Sequence, residues 1–252
     1  MKKSSILSVF FIIGAMALSL SLNSCGSSGN NEMVFVEGGT FTMGCSAEQI
    51  DDCFGSERPA HQVTVSSFYI GKYEVTQAQW ESVMGSNPSD NKGPNLHVTN
   101  VSWNDVQDFI IKMNAQTGKQ YRLPTEAEWE FAARGGNKSK GYKYSGSNTI
   151  DDVAWYDTNS GNRIHSVGSK QANELGIYDM SGNVWEWCND WYGVYTDETK
   201  TNPTGPSFGS DRVIRGGSWS SYAEYCCVVS RFYIYPDNRN FILGFRLAFS
   251  SY

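Results

Sequence analysis

Basic clusters are missing from this chain. Its 252 residues carry 20 Lys and Arg against 26 Asp and Glu, a formal net charge of −6. With a pI near 5.1 and no basic stretch, nucleic acid and anionic membrane are excluded as main partners. Histidine is scarce: His61, His97 and His165 lie far apart, and each reads as an ordinary surface or core residue. The chain also lacks the low hydrophobicity of a disordered polymer. It is 40% hydrophobic with 25 glycines, which suits one globular domain with a core and many turns.

A long apolar run occurs once, near the start. Lys2 and Lys3 precede Ile6 to Leu22, the charged and hydrophobic parts of a secretory signal rather than a membrane span of the mature protein. Leu22-Asn23-Ser24-Cys25 then resembles the lipobox of bacterial lipoproteins, which implies cleavage after residue 24 and lipidation of Cys25. Gly26-Ser27-Ser28-Gly29-Asn30-Asn31 reads as a tether of the Gly/Ser type. The expected organisation is a signal peptide over 1–24, a lipidated Cys and tether over 25–32, and a domain over 33–252. These features imply an exported, lipid-anchored protein of the cell envelope, on the outer membrane or surface.

Export permits disulfides. Lipidation of Cys25 leaves Cys45, Cys53, Cys188, Cys226 and Cys227. Cys45 and Cys53 flank a polar excursion ending at Gly55 and are the first choice for a local bridge. Of the other three, at least one stays unpaired or serves a metal.

Turn residues punctuate two strand pairs, one around Gly38-Gly39 within Met33–Gly44 and one joining His61–Val65 to Phe68–Gly71 through Ser66-Ser67. Three helices carry reciprocal caps at Thr76/Gln79, Ser102/Asp105 and Thr125/Glu128, and Gly85, Gly118 and Gly135 end them. In the second, Val106, Phe109, Ile110 and Met113 recur at helical spacing, while Gln107, Asp108 and Lys112 should face water. Beyond Gly136 regular signals thin out as far as Gly168, so an organising device is needed. Gly176–Trp187 is the candidate: Asp179, Asn183 and Glu186 offer the oxygen ligands a hard cation takes, or they form a hydrogen-bonded turn.

The stretch Arg212–Ala248 holds the most distinctive composition. Seven residues between Trp219 and Leu243 are aromatic: Trp219, Tyr222, Tyr225, Phe232, Tyr233, Tyr235 and Phe241. Neither helical nor alternating periodicity fits them, which points to an irregular recognition surface or, alternatively, a buried C-terminal core segment. Trp103, Trp129, Trp185 and Trp187 read as core.

Taken together, the ordered blocks resemble the formylglycine-generating enzyme, or sulfatase-modifying factor, family. They are Met33–Gly44, Tyr73-Glu74-Val75-Thr76, Val101-Ser102-Trp103, Arg122–Glu130, Gly182–Trp187, Arg215-Gly216-Gly217-Ser218-Trp219 and Gly244-Phe245-Arg246-Leu247-Ala248. The resemblance implies an α+β domain of low regular secondary structure, related to C-type lectins, with calcium near Asp179, Asn183 and Glu186. It also implies an oxidase whose copper ion is held by two cysteines five apart, since soft thiolates suit Cu(I). Here the second position is Cys226 but the first is Ser221, a harder and protonated donor. Ser218 and Cys226 stand as remnants, copper is not expected, and Cys227, adjacent to Cys226, does not restore the spacing. The histidine-iron site of sulfoxide-synthase relatives has no counterpart among the three scattered histidines.

A second resemblance covers residues 219–243: the variable region of proteins diversified by retroelements on a lectin-like scaffold, where adenines of Asn-rich codons are replaced. Ser220, Ser221, Tyr222, Tyr225, Cys226, Cys227, Ser230, Phe232, Tyr233, Ile234, Tyr235, Phe241, Ile242 and Leu243 all fall among the accessible outcomes, and neither Lys nor Met occurs in the run. The leading expectation is non-covalent binding of an extracellular protein or glycan, with Tyr222, Tyr225, Phe232, Tyr233, Tyr235 and Phe241 as contacts. The rivals are a metal-dependent oxidase of an exported sulfatase or other substrate, and a structural subunit of an envelope assembly.

Overall fold

A computed structural model describes residues 32–47, 49 and 53–251; the signal over 1–24 and Cys25 lie outside them. The four N-terminal strands have the anticipated bounds: β1 (Met33–Val36), β2 (Gly39–Met43), β3 (His61–Val65) and β4 (Phe68–Gly71). Their partners are exchanged. Instead of two hairpins, β1 pairs antiparallel with β4 and β2 with β3, so the two connecting corners cross. Gly38 makes this possible: its amide donates to Ser67 Oγ at 3.0 Å, and a Cβ there would meet Val65 O at 2.6 Å. The expected hairpins are therefore corrected. Turn chemistry marks a corner, and the tertiary partner decides the ladder.

All three reciprocal caps form, opening α1 (Gln77–Met84), α2 (Trp103–Thr117) and α3 (Glu126–Ala133). Gly85 and Gly118 close α1 and α2 in the left-handed conformation, whereas α3 ends on Arg134 with Gly135 one residue beyond. The α2 stripe is buried as anticipated; Asp108 and Lys112 face water, while Gln107 is half-buried. Trp80, Phe109 and Phe245 pack ring against ring beneath it. Between Gly136 and Trp185 only short turns and α4 (Ile150–Val153) occur. Asn173 organises that stretch: its amide donates to Ala132 O and Ser145 Oγ, and its carbonyl accepts from Leu175 N and Ile177 N.

The later strands are β5 (Trp185–Trp191), β6 (Lys200–Thr201), β7 (Arg212–Arg215), β8 (Arg231–Ile234), β9 (Leu243–Gly244) and β10 (Ala248–Ser250). They complete three sheets: β1-β4-β10, β2-β3-β6 and β8-β7-β5-β9. Among the described residues no helix is long and apolar enough to cross a membrane. The Cys45–Cys53 bridge is present; Cys188 and Cys226 are free thiols, and Cys188, Cys226 and Cys227 are all buried.

Buried charge ties these pieces together. Arg246 gives Nε and Nη2 to the two oxygens of Glu186 at 2.6 Å each, and its other donors reach Gly71 O and Tyr178 O. Trp129 Nε1 donates to Glu186 at 2.8 Å. A second set joins Arg231 to both oxygens of Glu126 and Arg215 to Glu130. Near Arg246, Glu74 and Asp179 are also buried, which leaves more carboxylates than the single guanidinium balances. Burial, reinforced by Asp179 and then Glu186, pushes Glu74 well above the carboxylate range. Burial and the Glu186 charge hold Asp179 at about 6 against the Gly168 amide and Arg246, which favour ionisation.

Removing Glu186 tests the ion pair. Glu186→Ala strands the Arg246 charge and is expected to cost about 3–5 kcal/mol in denaturant unfolding, while a Glu186→Leu, Arg246→Met pair recovers much of that loss. Asp179 binds its proton more tightly folded than unfolded, so its contribution is fullest below 3.8, falls as pH rises toward about 6, and is flat above. Asp179→Asn keeps an acceptor for the Gly168 amide. It is expected to remove that decline and to raise stability at neutral pH, measured by unfolding curves across the range.

Candidate functional site

The Arg215–Trp219 block bends sharply off β7. Gly216 and Gly217 have φ of 99° and 76°, and a Cβ on Gly217 would sit 2.7 Å from Cys226 Sγ. Only glycine lets the chain pass over the buried cysteine and turn outward. From there the chain runs through a loop and a single turn at Ala223–Cys226 into β8 at the sheet edge. Phe232 and Tyr233 are consecutive in β8, yet both are exposed. An edge strand wet on both faces has no reason to alternate, which is why the run shows no period.

An open cavity of about 340 Å³ lies here. Trp185, Ile214, Ile242 and Leu243 line it together with Tyr222, Tyr225, Phe232 and Ile234, and its polar groups are Ser220, Ser221 and Asn240. Among the described residues no charged side chain lines it. Of the six anticipated contacts, Tyr222, Tyr225 and Phe232 form the cavity wall, whereas Tyr233, Tyr235 and Phe241 stand outside it. Tyr222, Phe232, Tyr233, Tyr235 and Phe241 are between 46% and 65% exposed. Tyr225 is half-buried because Phe54 stacks on it at 5.4 Å.

Phe54 is a residue that sequence reasoning missed. It comes directly after Cys53, so the disulfide delivers it to the rim, and the Arg231 guanidinium holds the same loop through Ser56 O. Periodicity offers no signal for it; a hydrophobe beside a bridged cysteine in an otherwise polar loop is the available clue. The floor residues Trp185, Ile214, Ile242 and Leu243 were missed as well, because each also reads as core.

Of the residues that resemble a variable region, Cys226, Cys227, Ser230 and Leu243 are buried in the core, Ser221, Tyr225, Ile234 and Ile242 are half-buried, and Ser220, Tyr222, Phe232, Tyr233, Tyr235 and Phe241 face solvent. Only the last group can change without disturbing packing.

Of the positions matched to the oxidase, Ser221 lines the cavity, while Ser218 and Cys226 are buried. Ser221 Oγ accepts from the Ser218 amide at 3.0 Å and lies 2.9 Å from Ser218 Oγ. Cys226 has no exposed surface, and burial, then the Cys227 thiol, push its own thiol far above the ordinary range. A serine hydroxyl and one buried thiol do not fit a copper ion that needs two thiolates.

Calcium poses a different fit. Both oxygens of Glu186 are engaged by Arg246 and Trp129. Asn183 turns Nδ2 to Glu74, and its buried Oδ1 has no partner. Asp179 accepts from Gly168 N at 2.6 Å. Among the described residues no three His, Cys, Asp or Glu side chains already form a metal cluster. Surplus buried carboxylate and the orphaned Asn183 oxygen nevertheless suit a hard cation in kind.

Comparison with known proteins agrees with this geometry. The sulfatase-modifying factor enzyme 1-like domain matches residues 22–251. The chaperone protein LppX of Paenibacillus barcinonensis is 38% identical, over 84% of this chain and 88% of its own. Mouse formylglycine-generating enzyme is 31% identical, over 86% and 74%. Among solved structures, Treponema denticola variable protein 1 superposes with a TM-score of 0.80 at 33% identity, covering 87% of this chain and 95% of that one. With the α+β architecture and the ordered motif blocks, these matches place the chain in the sulfatase-modifying factor, or formylglycine-generating enzyme, family.

Proposed function

We propose that this protein is an exported surface lipoprotein, lipidated at Cys25, that binds an extracellular protein or glycan non-covalently through the aromatic rim of the Trp185–Ile214 cavity. The observation that carries the reading is the conjunction of an uncharged, mostly apolar cavity with large aromatics held between 46% and 65% exposed around it. Rigid aromatics over an apolar pocket are where binding energy concentrates, because water is excluded around few anchors at small cost in side-chain entropy. Similarity to a protein named for its variability, and to one named as a chaperone, supports binding over turnover. The exposed positions in residues 219–243 are then the ones a retroelement would diversify.

The oxidase alternative draws on the similarity to mouse formylglycine-generating enzyme and on Ser218 and Cys226, but its chemistry requires a second soft ligand that Ser221 does not supply. Calcium is part of the proposed scaffold: Asp179 and Asn183 would hold the ion as oxygen donors. It would offset the surplus charge beside Glu74 and give Asn183 Oδ1 a partner.

A ligand selected on arrays of extracellular proteins and glycans is expected to lose about 2 kcal/mol, roughly thirtyfold in Kd, for each of Tyr222→Ala and Phe232→Ala, with the fold intact. Phe54→Ala should weaken it by releasing Tyr225. Unchanged affinity in all three overturns the reading, and stoichiometric Cu(I) binding lost in Cys226→Ser would favour the oxidase. Calcium added to chelator-treated protein at a hundredfold over its Kd should stabilise it by about 2.7 kcal/mol in unfolding experiments. Asn183→Ala and Asp179→Asn should abolish that increment.

A further inference from the structure

The sheet β1-β4-β10 carries a second aromatic surface, and none of its three rings lines the cavity. Phe35, Tyr69 and Phe249 are direct cross-strand partners: Phe35 opposite Tyr69, and Tyr69 opposite Phe249. Their rings form a continuous row, with centroids 5.2 Å and 4.6 Å apart. Tyr121 meets Phe249 edge-on at 5.7 Å, and the Lys119 ammonium sits over both Tyr121 and Phe249. The other faces of these strands, through Val36, Phe68, Ile70 and Ala248, belong to the core. The aromatic row is the outer face, and Phe35, on the edge strand, is 50% exposed.

Position in the chain identifies what meets this face. Met33, the first residue of β1, lies eight positions beyond Cys25. Even a fully extended chain of that length reaches only about 28 Å, whereas a domain of this size is more than about 40 Å across, from a radius of gyration near 17 Å. A lipid on Cys25 therefore holds the β1 edge close to the bilayer, and the neighbouring face with it. Tyr69 and Tyr121, each with a polar tip, and Lys119 beside them match the headgroup region, where amphipathic rings are favoured and a lysine stem can lie along apolar surface with its charge in water, while Phe35 and Phe249 add apolar area.

Resting on the anchoring at Cys25 proposed above, we infer that the Phe35–Tyr69–Phe249 face lies against the headgroup layer of the membrane that carries the lipid. The sheet face is a second attachment point that orients the domain, in addition to the lipid chain. It accounts for a row of stacked rings placed on the outer side of a sheet whose other side is core.

The test uses the full lipidated protein reconstituted in phosphatidylethanolamine–phosphatidylglycerol vesicles. A polarity-sensitive dye on Lys119→Cys, at the position whose side chain lies over the Phe249 ring, is compared with the same dye on Ser207→Cys in an exposed loop. On vesicles the dye at position 119 is expected to shift to the blue and lose most of its quenching by aqueous iodide, while the dye at position 207 stays quenched. Phe35→Ser, a single exposed substitution, and the triple change Phe35→Ser, Tyr69→Ser, Phe249→Ser should restore quenching at position 119 while the protein still floats with vesicles. Flotation with equal quenching at both sites overturns the orientation but leaves the anchor standing. Failure to float overturns both. Shielding of position 119 that needs no lipid and grows with protein concentration assigns the face to a second copy, and also overturns it.

Discussion

The bidentate pair between Arg246 and Glu186 is the constraint on which the rest depends. It has no access to solvent, so its two charges must satisfy each other and every remaining donor needs a partner. Arg246 meets that demand by reaching Gly71 at the end of β4 and Tyr178 in the irregular stretch, and Glu186 does so by accepting from Trp129 on α3. One ion pair thus joins two sheets, a helix and a loop in a domain poor in regular structure. A buried pair of this kind adds little net stability over apolar residues, and it stands or falls as a unit.

On that frame the glycine-rich turn after β7 is released outward, and the chain is free to present large side chains without packing them. The cavity stays apolar because its floor is the edge of the core itself, Trp185, Ile214 and Leu243, while the rings around it come from a segment pinned by its backbone, through the β7–β8 ladder and loop hydrogen bonds. Rim residues there can be exchanged without loss of packing, because the buried members of the same segment, Cys226, Cys227 and Leu243, do the packing. The disulfide-closed loop adds Phe54 from the opposite end of the chain, so the surface is built from two distant segments.

The local signals were legible because they are local. A cap such as Thr125 with Glu128 closes within one turn, and Cys45 reaches Cys53 across a short loop, so neither needs the tertiary fold. The N-terminal strands were legible in extent and not in pairing: Gly38-Gly39 and Ser66-Ser67 mark corners, but nothing near them says that β1 should seek β4. The aromatic contacts were half legible. Composition singled out Tyr222 and Phe232, whereas the partition between wall and rim, and the burial of Tyr225 under Phe54, are properties of three-dimensional contact.

By itself the sequence determined the caps, the extents of the first four strands and of three helices, the family motifs and the local disulfide, because each depends on residues within a turn or two of one another. Only the tertiary structure decided which strands pair, that Glu186 answers to Arg246, that Glu74 joins Asp179 and Asn183 in one buried cluster, and which aromatics stay in water. Those outcomes depend on burial and on charges brought together from distant positions, and burial is a property of the folded whole rather than of any stretch of chain.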